Sequence, residues 1–190
     1  MTRHPPLPSV HECLALLQEQ GAPIGLLRHC QAVAQAAFCM ATWLQAQGEA
    51  VDPLLAHRGG LLHDLDKISA QRQGRTHGHL GAEILRQQGY LALAEIAQRH
   101  LISSLLQDDD RPRTWEEKLV YYADKVVEGD QVVPVPQRMA ALALRYPTLQ
   151  ATLQRCEPMV LALEAEICAQ LGLSAAELHR RLQRGCSPSA

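Results

Sequence analysis

The sequence predicts an all-α protein, and three observations indicate this class: composition, capping patterns and the helical spacing of apolar residues. Ala, Leu and Gln dominate the 190 residues, whereas Phe occurs once and runs of β-branched residues are few, a balance that favours helices. Hydrophobic residues make up 47% and charged residues 20% of the chain, as in a globular protein with an ample core. We find no internal repeat and no convincing strand pattern.

Capping signals place the first helices. Ser9 with Glu12 three residues later forms a capping-box pattern, which predicts a helix that ends at Gly21. Asp52 followed by Pro53 predicts the start of another helix, because proline is favoured at the first helical position. The pattern also predicts a polar loop at residues 67–76 and further helices over 24–47, 77–88 and 91–100.

The second half of the chain shows another capping signal and is then interrupted by prolines. Thr114 with Glu117 forms a second capping-box pattern, which predicts a helix through about Glu128. A proline-punctuated connection at residues 132–136 follows. We therefore predict a core domain over 1–131 and a C-terminal helical extension over 132–190 that packs on it. Two or three helices are expected there, with Pro158 near the start or at a kink of one.

Charge and cysteine usage exclude several classes of protein. The net charge is −2 and the isoelectric point is about 6.5, so no nucleic-acid surface or membrane-surface patch is indicated. No apolar stretch approaches the ~20 residues that span a bilayer, and the N-terminus lacks the apolar segment of a signal peptide. The six cysteines form no C-x-x-C pair. Reduced thiols in a cytoplasmic protein are therefore expected, rather than a zinc ribbon or a disulfide framework.

Several ionisable side chains lie on apolar helix faces. His29, His100 and Asp124 each align with apolar residues three or four positions away, so each points toward a core. His77 also leads an apolar line, whereas His79 lies on the wetter side of the same helix. One such histidine alone is more often a hydrogen-bonded core residue than a ligand. Several on separate helices form the ligand set for a divalent metal: manganese, iron, nickel, cobalt or magnesium, with zinc as a further candidate.

The stretch GGLLHDLDK, with LLRHCQAVA before it and VYYADKVV after it, resembles the signature of the HD-domain superfamily of metal-dependent phosphohydrolases. HGHLGAEIL and IAQRH match two further histidines of the branch that holds two metals. The resemblance covers about residues 20–130 and implies an HD-domain helical bundle, to which the C-terminal helices are additional. It implies the metal ligands His29, His63, Asp64, His77, His100 and Asp124. One departure is Asp66, which stands where the signature often has glycine. Its added negative charge would either influence the choice of metal or point to solvent, and we expect the second.

The resemblance also implies a reaction and a division of labour. Hydrolysis of a phosphate ester, of a nucleotide or dinucleotide, would proceed by attack of a metal-bound hydroxide, with one or two metal ions per chain. Asp64 would bridge the ions. The first ion would be completed by His29, His63 and Asp124, and the second by His77 and His100.

The substrate contacts and the rival functions follow from the same resemblance. Lys67 is expected to stabilise charge on a substrate phosphate, and Arg72 and Arg75 are candidate phosphate contacts whose alternative is a solvated loop. His179 is expected to be incidental. A di-iron oxygenase with the same ligands and a non-catalytic regulatory module are the alternatives. The expected partner is a small phosphorylated molecule, not a membrane, and the sequence leaves a homodimer open.

Overall fold

Helices make up most of the computed structural model, which describes residues 6–186, and the predicted all-α class is confirmed. Two short strands form a hairpin, β1 at Val127–Glu128 and β2 at Gln131–Val132. The helices are α1 Val10–Glu19, α2 Ile24–Ala46, α3 Pro53–Leu62, α4 Lys67–Gln73, α5 His79–Gln87, α6 Leu91–Arg99, α7 Trp115–Asp124, α8 Val135–Arg145, α9 Gln150–Leu171 and α10 Ala175–Arg184. Short 3₁₀ segments lie at Ile102–Leu106, Asp108–Asp110 and Pro147–Leu149.

The predicted caps start the helices that they were assigned to. The Ser9 side chain accepts a hydrogen bond from the N–H of Glu12, and the Glu12 carboxylate accepts one from the N–H of Ser9. Asp52 caps α3 by accepting from two backbone N–H groups, and Thr114 caps α7. Each cap satisfies donors that have no partner within the helix, so local chemistry fixed these boundaries.

Two predicted boundaries are wrong. Residues 67–73, expected to be a loop, form α4, which ends at Gly74 in the left-handed region with φ +62°. The helix expected to run to about Glu128 stops at Asp124, because the chain turns into the β1–β2 hairpin, where Gly129 has φ +61°. The early stop leaves Asp124 at a helix terminus rather than in mid-helix.

The glycine pair Gly59–Gly60 lets α3 pack against its neighbours at very short range. A Cβ atom on Gly60 would lie 2.5 Å from the Cα of Ala34 on α2, and a Cβ on Gly59 would lie 2.7 Å from the Cδ1 of Ile96 on α6. Either distance is too short for a real carbon contact. A side chain on Gly60 would force α3 and α2 apart, because its neighbour is backbone, whereas one on Gly59 would displace the end of the Ile96 side chain. The glycines thus bring the C-terminal end of α3 into the middle of the bundle.

The C-terminal segment shares the hydrophobic core of the rest of the chain. Val135, Met139, Val160 and Ile167 belong to the same buried cluster as residues of α2 and α3. The predicted boundary at residue 132 stays a prediction, and residues 1–5 and 187–190 lie outside the described part. Within that part, no single helix is long and apolar enough to cross a membrane, although a bent pair, 147–171 with 175–184, meets those limits jointly by length and composition.

A buried hydrogen-bonded cluster, here called the C-terminal tie, joins α7, α9 and α10. The Tyr122 hydroxyl donates to Glu164 Oε2 over 2.6 Å, and His179 Nε2 lies 2.9 Å from the same oxygen. His179, expected to be incidental, is therefore a structural contact at the end of the bundle.

The expectation of uniformly reduced cysteines is also wrong. Cys39 on α2 and Cys186 after α10 form a disulfide, with Cα atoms 5.3 Å apart across 147 residues of sequence. Cys13, Cys30, Cys156 and Cys168 are free and buried. Sequence spacing gave no sign of the pair, because only the folded chain brings the end of α10 alongside α2.

Candidate metal centre

The structure brings the six predicted ligands together around Asp64. Each comes from a different point of the bundle: His29 lies on α2, His63 and Asp64 follow α3, His77 precedes α5, His100 ends α6 and Asp124 ends α7. All except His77 are buried, and His77 is partly exposed. The helix ends therefore converge on one point inside the protein.

Asp64 lies between two pairs of histidines and offers one oxygen to each pair. Its Oδ2 is 3.5 Å from His63 Nε2 and 4.0 Å from His29 Nε2. Its Oδ1 is 2.8 Å from His77 Nε2 and 3.5 Å from His100 Nε2. Each pair, with Asp64, offers ligand atoms within 4.8 Å of one another. The geometry therefore contains two three-residue groups that share one carboxylate.

Asp124 lies beside the first of these groups. Its Oδ1 is 3.1 Å from His29 Nε2 and 3.8 Å from His63 Nε2. We call His29, His63, Asp64 and Asp124 the first subsite, and Asp64, His77 and His100 the second subsite. This division matches the one that the resemblance implied, and the assignment of the six residues as ligands stays a prediction.

All four histidines are held by their outer ring nitrogen. The Nδ1 atoms of His29, His63 and His100 face backbone carbonyl oxygens, at 3.0, 2.8 and 2.6 Å. The Nδ1 of His77 faces Asp66 Oδ1 at 2.6 Å. An Nδ1–H that donates outward leaves a lone pair on Nε2. All four lone pairs then point toward Asp64 and Asp124, the arrangement in which imidazoles bind metals.

Hydrogen bonds between neutral groups cannot satisfy this cluster. Both nitrogens of His77 face carboxylate oxygens, whereas a neutral imidazole has one N–H donor, so this ring needs either a second proton or a cation at Nε2. His77 Nε2 and His100 Nε2 lie 3.2 Å apart, and among the described residues the buried His63 Nε2 has no hydrogen-bond partner. The cluster therefore needs added positive charge, from a proton or from a metal ion. Imidazole and carboxylate donors with no cysteine fit a divalent transition metal or magnesium.

The same crowding shifts the pKa values of the ring nitrogens and carboxyl groups. Burial lowers the pKa of His63 to about 3, so this imidazole is neutral. Burial also acts to lower the pKa of His77, but hydrogen bonds to Asp64 and Asp66 outweigh it and raise that pKa to about 9. Burial by itself raises the pKa of Asp64, but the nearby Lys67 ammonium and the hydrogen bond from His77 outweigh it and hold that pKa well below its usual range. The cluster therefore keeps its carboxylates ionised.

Three cationic side chains surround the carboxylates, and sequence reasoning identified only the first. Lys67 Nζ lies 2.5 Å from Asp64 Oδ2. Lys125 Nζ lies 2.5 Å from Asp124 Oδ2, and Arg138 Nη2 lies 3.2 Å from Asp124 Oδ1. Lys125 follows Asp124 in the motif, which was a usable signal. Arg138 lies on α8, fourteen residues beyond Asp124, and no local pattern marks it.

Asp66 corrects an expectation, because it is fully buried rather than solvent-facing. Besides His77, its carboxylate accepts hydrogen bonds from the N–H groups of Gly78 at 3.0 Å and Gly81 at 2.8 Å. A Cβ on Gly81 would lie 3.3 Å from the Asp66 Cγ, so a glycine permits this close approach. Gly81, the second glycine of the HGHLGAEIL stretch, thus leaves room for the Asp66 carboxylate.

A cleft of about 390 Å³ opens onto the cluster. Lys67 lines it, and so does Arg75, which also pairs with Glu83 at 2.6 Å. Arg72 lies against Gly21 instead and is not among the lining residues. The remaining lining includes four of the six candidate ligands, the cations Lys125 and Arg138, and an apolar wall formed by Leu142, Tyr146, Leu149 and Leu153.

Comparisons with known proteins agree with this geometry. The family model described as HD domain matches residues 26–128. An uncharacterised protein of Methanocaldococcus jannaschii is 36% identical over 121 residues, which are 58% of this chain and 70% of that protein. Two proteins named tRNA (cytidine(56)-2'-O)-methyltransferase, from Thermoplasma volcanium and Picrophilus torridus, are 31% and 27% identical over 69% and 70% of this chain, and the alignments span only 40% of each relative's length. No solved structure matches the chain.

Proposed function

This chain belongs to the HD domain family, and from that membership and the geometry of the cluster we propose that it is a metal-dependent phosphohydrolase. The proposed substrate is a phosphate ester of a nucleotide or dinucleotide. The methyltransferase activity in the names of two relatives is not part of the proposal, since this chain aligns with 40% of each of those proteins.

One observation carries the proposal. The inward-facing Nε2 atoms of two histidines lie on each side of the buried Asp64 carboxylate, and the buried Asp124 carboxylate lies beside one of these pairs. Two three-residue groups that share the Asp64 carboxylate, and a buried His63 Nε2 with no hydrogen-bond partner in the described part of the chain, support the presence of cations at this point. A purely structural cluster would pair its donors with its acceptors. The first and second subsites are the groups that would each hold one divalent ion.

When bound, divalent ions lower the pKa of water and neutralise charge on a phosphoryl group. The chain's own residues prepare for that chemistry. Asp64 and Asp124 remain ionised because of the cations beside them, so they can bind metal at neutral pH. The outward hydrogen bonds of the histidines fix each ring in the tautomer that presents Nε2.

Lys67 is the cation that can reach a substrate. Its side chain is 36% exposed and lines the cleft, while that of Lys125 is 3% exposed and that of Arg138 is 5% exposed. An ammonium group in this position would stabilise negative charge that develops on a phosphoryl oxygen. Lys125 and Arg138 instead hold Asp124 in place. Arg75 adds positive charge at the exposed rim.

The apolar wall of the cleft favours a substrate with a flat or apolar group beside its phosphate. Tyr146 is 40% exposed, so part of its ring is free to contact a ligand. Aromatic and aliphatic side chains next to a few convergent polar groups are typical of sites for organic ligands, and a cleft of about 390 Å³ is within their usual size. A nucleoside phosphate combines the two features.

A metal-by-substrate screen tests the proposal. Protein stripped with a chelator would be reloaded with Mn, Ni, Co, Mg or Fe, and phosphate release would be measured from nucleoside monophosphates, dinucleoside polyphosphates, cyclic dinucleotides and an aryl phosphate. His77→Ala should abolish release. The matched control is His79→Ala, since His79 is exposed and lies only two residues away. That variant should retain wild-type activity.

Three outcomes of this screen would count against the hydrolytic proposal. Absence of phosphate or nucleotide product with every metal would overturn the hydrolytic proposal. Substrate-dependent oxygen uptake by the iron-loaded protein, without phosphate release, would favour the di-iron oxygenase. Equal loss of activity in the His77 and His79 variants would place the reaction elsewhere on the protein.

A further inference from the structure

Asp66 is a buried carboxylate that touches the cluster only through His77. It lies two residues after Asp64, in the turn between α3 and α4, and it is fully buried. Its Oδ1 accepts hydrogen bonds from His77 Nδ1 at 2.6 Å and from the Gly78 N–H at 3.0 Å. Its Oδ2 accepts one from the Gly81 N–H at 2.8 Å. Every acceptor site in use thus points at the loop that carries His77 or at the first turn of α5.

His77 differs from the other three histidines in what supports it. The Nδ1 atoms of His29, His63 and His100 face backbone carbonyls, whereas that of His77 faces an ionised side chain. A hydrogen bond to a carboxylate is stronger than one to a carbonyl. It also raises the basicity of the opposite ring nitrogen, so such supports affect metal affinity. His77 is also the most exposed of the four, so it depends most on a support outside the hydrophobic core.

We propose that Asp66 is a positioning residue that sets the metal affinity of the second subsite and leaves that of the first subsite unchanged. The inference rests on the proposed function, because it requires that the cluster bind metal. The effect is confined to the second subsite because Asp66 contacts His77 and no member of the first subsite.

A second role for Asp66 has to be separated from this one. α5 begins at His79, and its N-cap residue Gly78 has no side chain, so Asp66 also satisfies N–H donors at that helix end. Asp66→Asn keeps the size of the side chain and one acceptor oxygen, but it replaces the other oxygen with an amide donor. Asp52→Asn is the matched control, because Asp52 caps α3 through its carboxylate and asparagine caps about as well as aspartate.

The experiment titrates metal-free protein with Mn²⁺. Calorimetry would give the number of sites and their affinities, and electron paramagnetic resonance would distinguish a spin-coupled pair of ions from isolated ones. Wild type and Asp52→Asn should bind two ions as a coupled pair. Asp66→Asn should bind one ion with wild-type affinity and the other about 10- to 100-fold more weakly. In the His77→Ala background, the Asp66 substitution should add no further loss, because its effect passes through that ring.

Contrary results are distinguishable. Two sites of unchanged affinity in Asp66→Asn would overturn the inference while the hydrolytic proposal stands. Equal weakening of both sites, together with a lower melting temperature in the presence of chelator, would show that Asp66 supports the fold instead. Wild-type protein that binds no Mn²⁺, Ni²⁺, Co²⁺ or Fe²⁺ would remove the proposed function and this inference together.

Discussion

Two buried clusters of ionisable side chains share helix α7, and they are built on different principles. The candidate metal centre uses Asp124 at the end of the helix, and the C-terminal tie uses Tyr122 two residues earlier. In the tie, a hydroxyl and an imidazole both donate to one carboxylate. In the metal centre, imidazole lone pairs face each other and two carboxylates. Donors match acceptors in the tie, while acceptors are in excess in the centre.

The difference shows that a histidine that faces a carboxylate inside the protein is not by itself a sign of function. His179 and His63 are both drawn into the protein beside a carboxylate. His179 is satisfied by its neighbours, whereas the inner nitrogen of His63 has no partner. The balance of donors and acceptors, rather than burial, therefore distinguishes a structural contact from a site that requires an outside cation.

The largest expected effect comes from Asp64→Asn. Because both subsites share this carboxylate, the variant should lose both metal ions and should have no measurable hydrolysis. Elemental analysis and the phosphate-release assay would measure the two losses. Glu164→Gln makes the same kind of change in the tie and should keep full metal content. A retained metal content in Asp64→Asn would remove the distinction between the clusters.

Metal addition should also separate the clusters. A ligand at 100 times its dissociation constant stabilises a folded protein by about 2.7 kcal/mol, which for a chain of this size raises the melting temperature by roughly 5–10 °C. We expect this shift for wild type and for Glu164→Gln, measured by thermal unfolding with chelator and then with Mn²⁺. Asp64→Asn should show none. A shift of equal size in all three proteins would indicate metal binding away from Asp64.

Breaking the C-terminal tie should lower the free energy of unfolding and leave metal binding unchanged. Tyr122→Phe leaves Glu164 with one donor fewer in a buried position, and removing one partner of a buried hydrogen bond costs about 1–3 kcal/mol. Urea unfolding in the presence of chelator would measure the loss in the free energy of unfolding. The number of metal ions bound should not change, and a change would mean that the two clusters are coupled through α7.

The smallest expected effect is the part of the pH dependence of stability that the tie contributes. Burial by itself raises the pKa of Glu164, but hydrogen bonds from His179 and Tyr122 outweigh it and hold the pKa below its usual 4.5. The ionised carboxylate therefore stabilises the fold fully above pH 4.5, and this contribution is lost as the pH falls through the folded-state pKa. The stability difference between wild type and Glu164→Gln should narrow over that range. A difference that widens below pH 4.5 would contradict the assignment.

The sequence predicted those parts of the fold that local chemistry determines. Ser9, Asp52 and Thr114 cap helices through residues within three positions, so their signals survive without tertiary information. The stretch after Lys67 was mistaken for a loop because its polar residues hide a two-turn helix. The β1–β2 hairpin was missed because each strand has only two residues.

The candidate site was likewise predictable only where the local sequence determines it. The helical pattern ranked His77 above His79 as a ligand, and His77 does lie at the cluster while His79 is exposed. The reason for that ranking was wrong, because α5 begins at His79 and His77 lies in the turn before it. The helical period also says nothing about what approaches from another segment. Asp66 was therefore assigned to solvent, and Arg138 and the Cys39–Cys186 pair were not foreseen, since these contacts exist only once distant segments meet.

The cleft is assembled from two stretches of chain that carry different kinds of residue. All six candidate ligands lie between His29 and Asp124, while the apolar wall lies between Leu142 and Leu153. Mutation can therefore reshape the wall without touching a ligand. We expect homologues to diverge first in the residues of the wall, which would contact the substrate of the proposed reaction, and last in the candidate ligands. Substitutions meant to change that substrate should therefore begin in α8 and the segment that follows it.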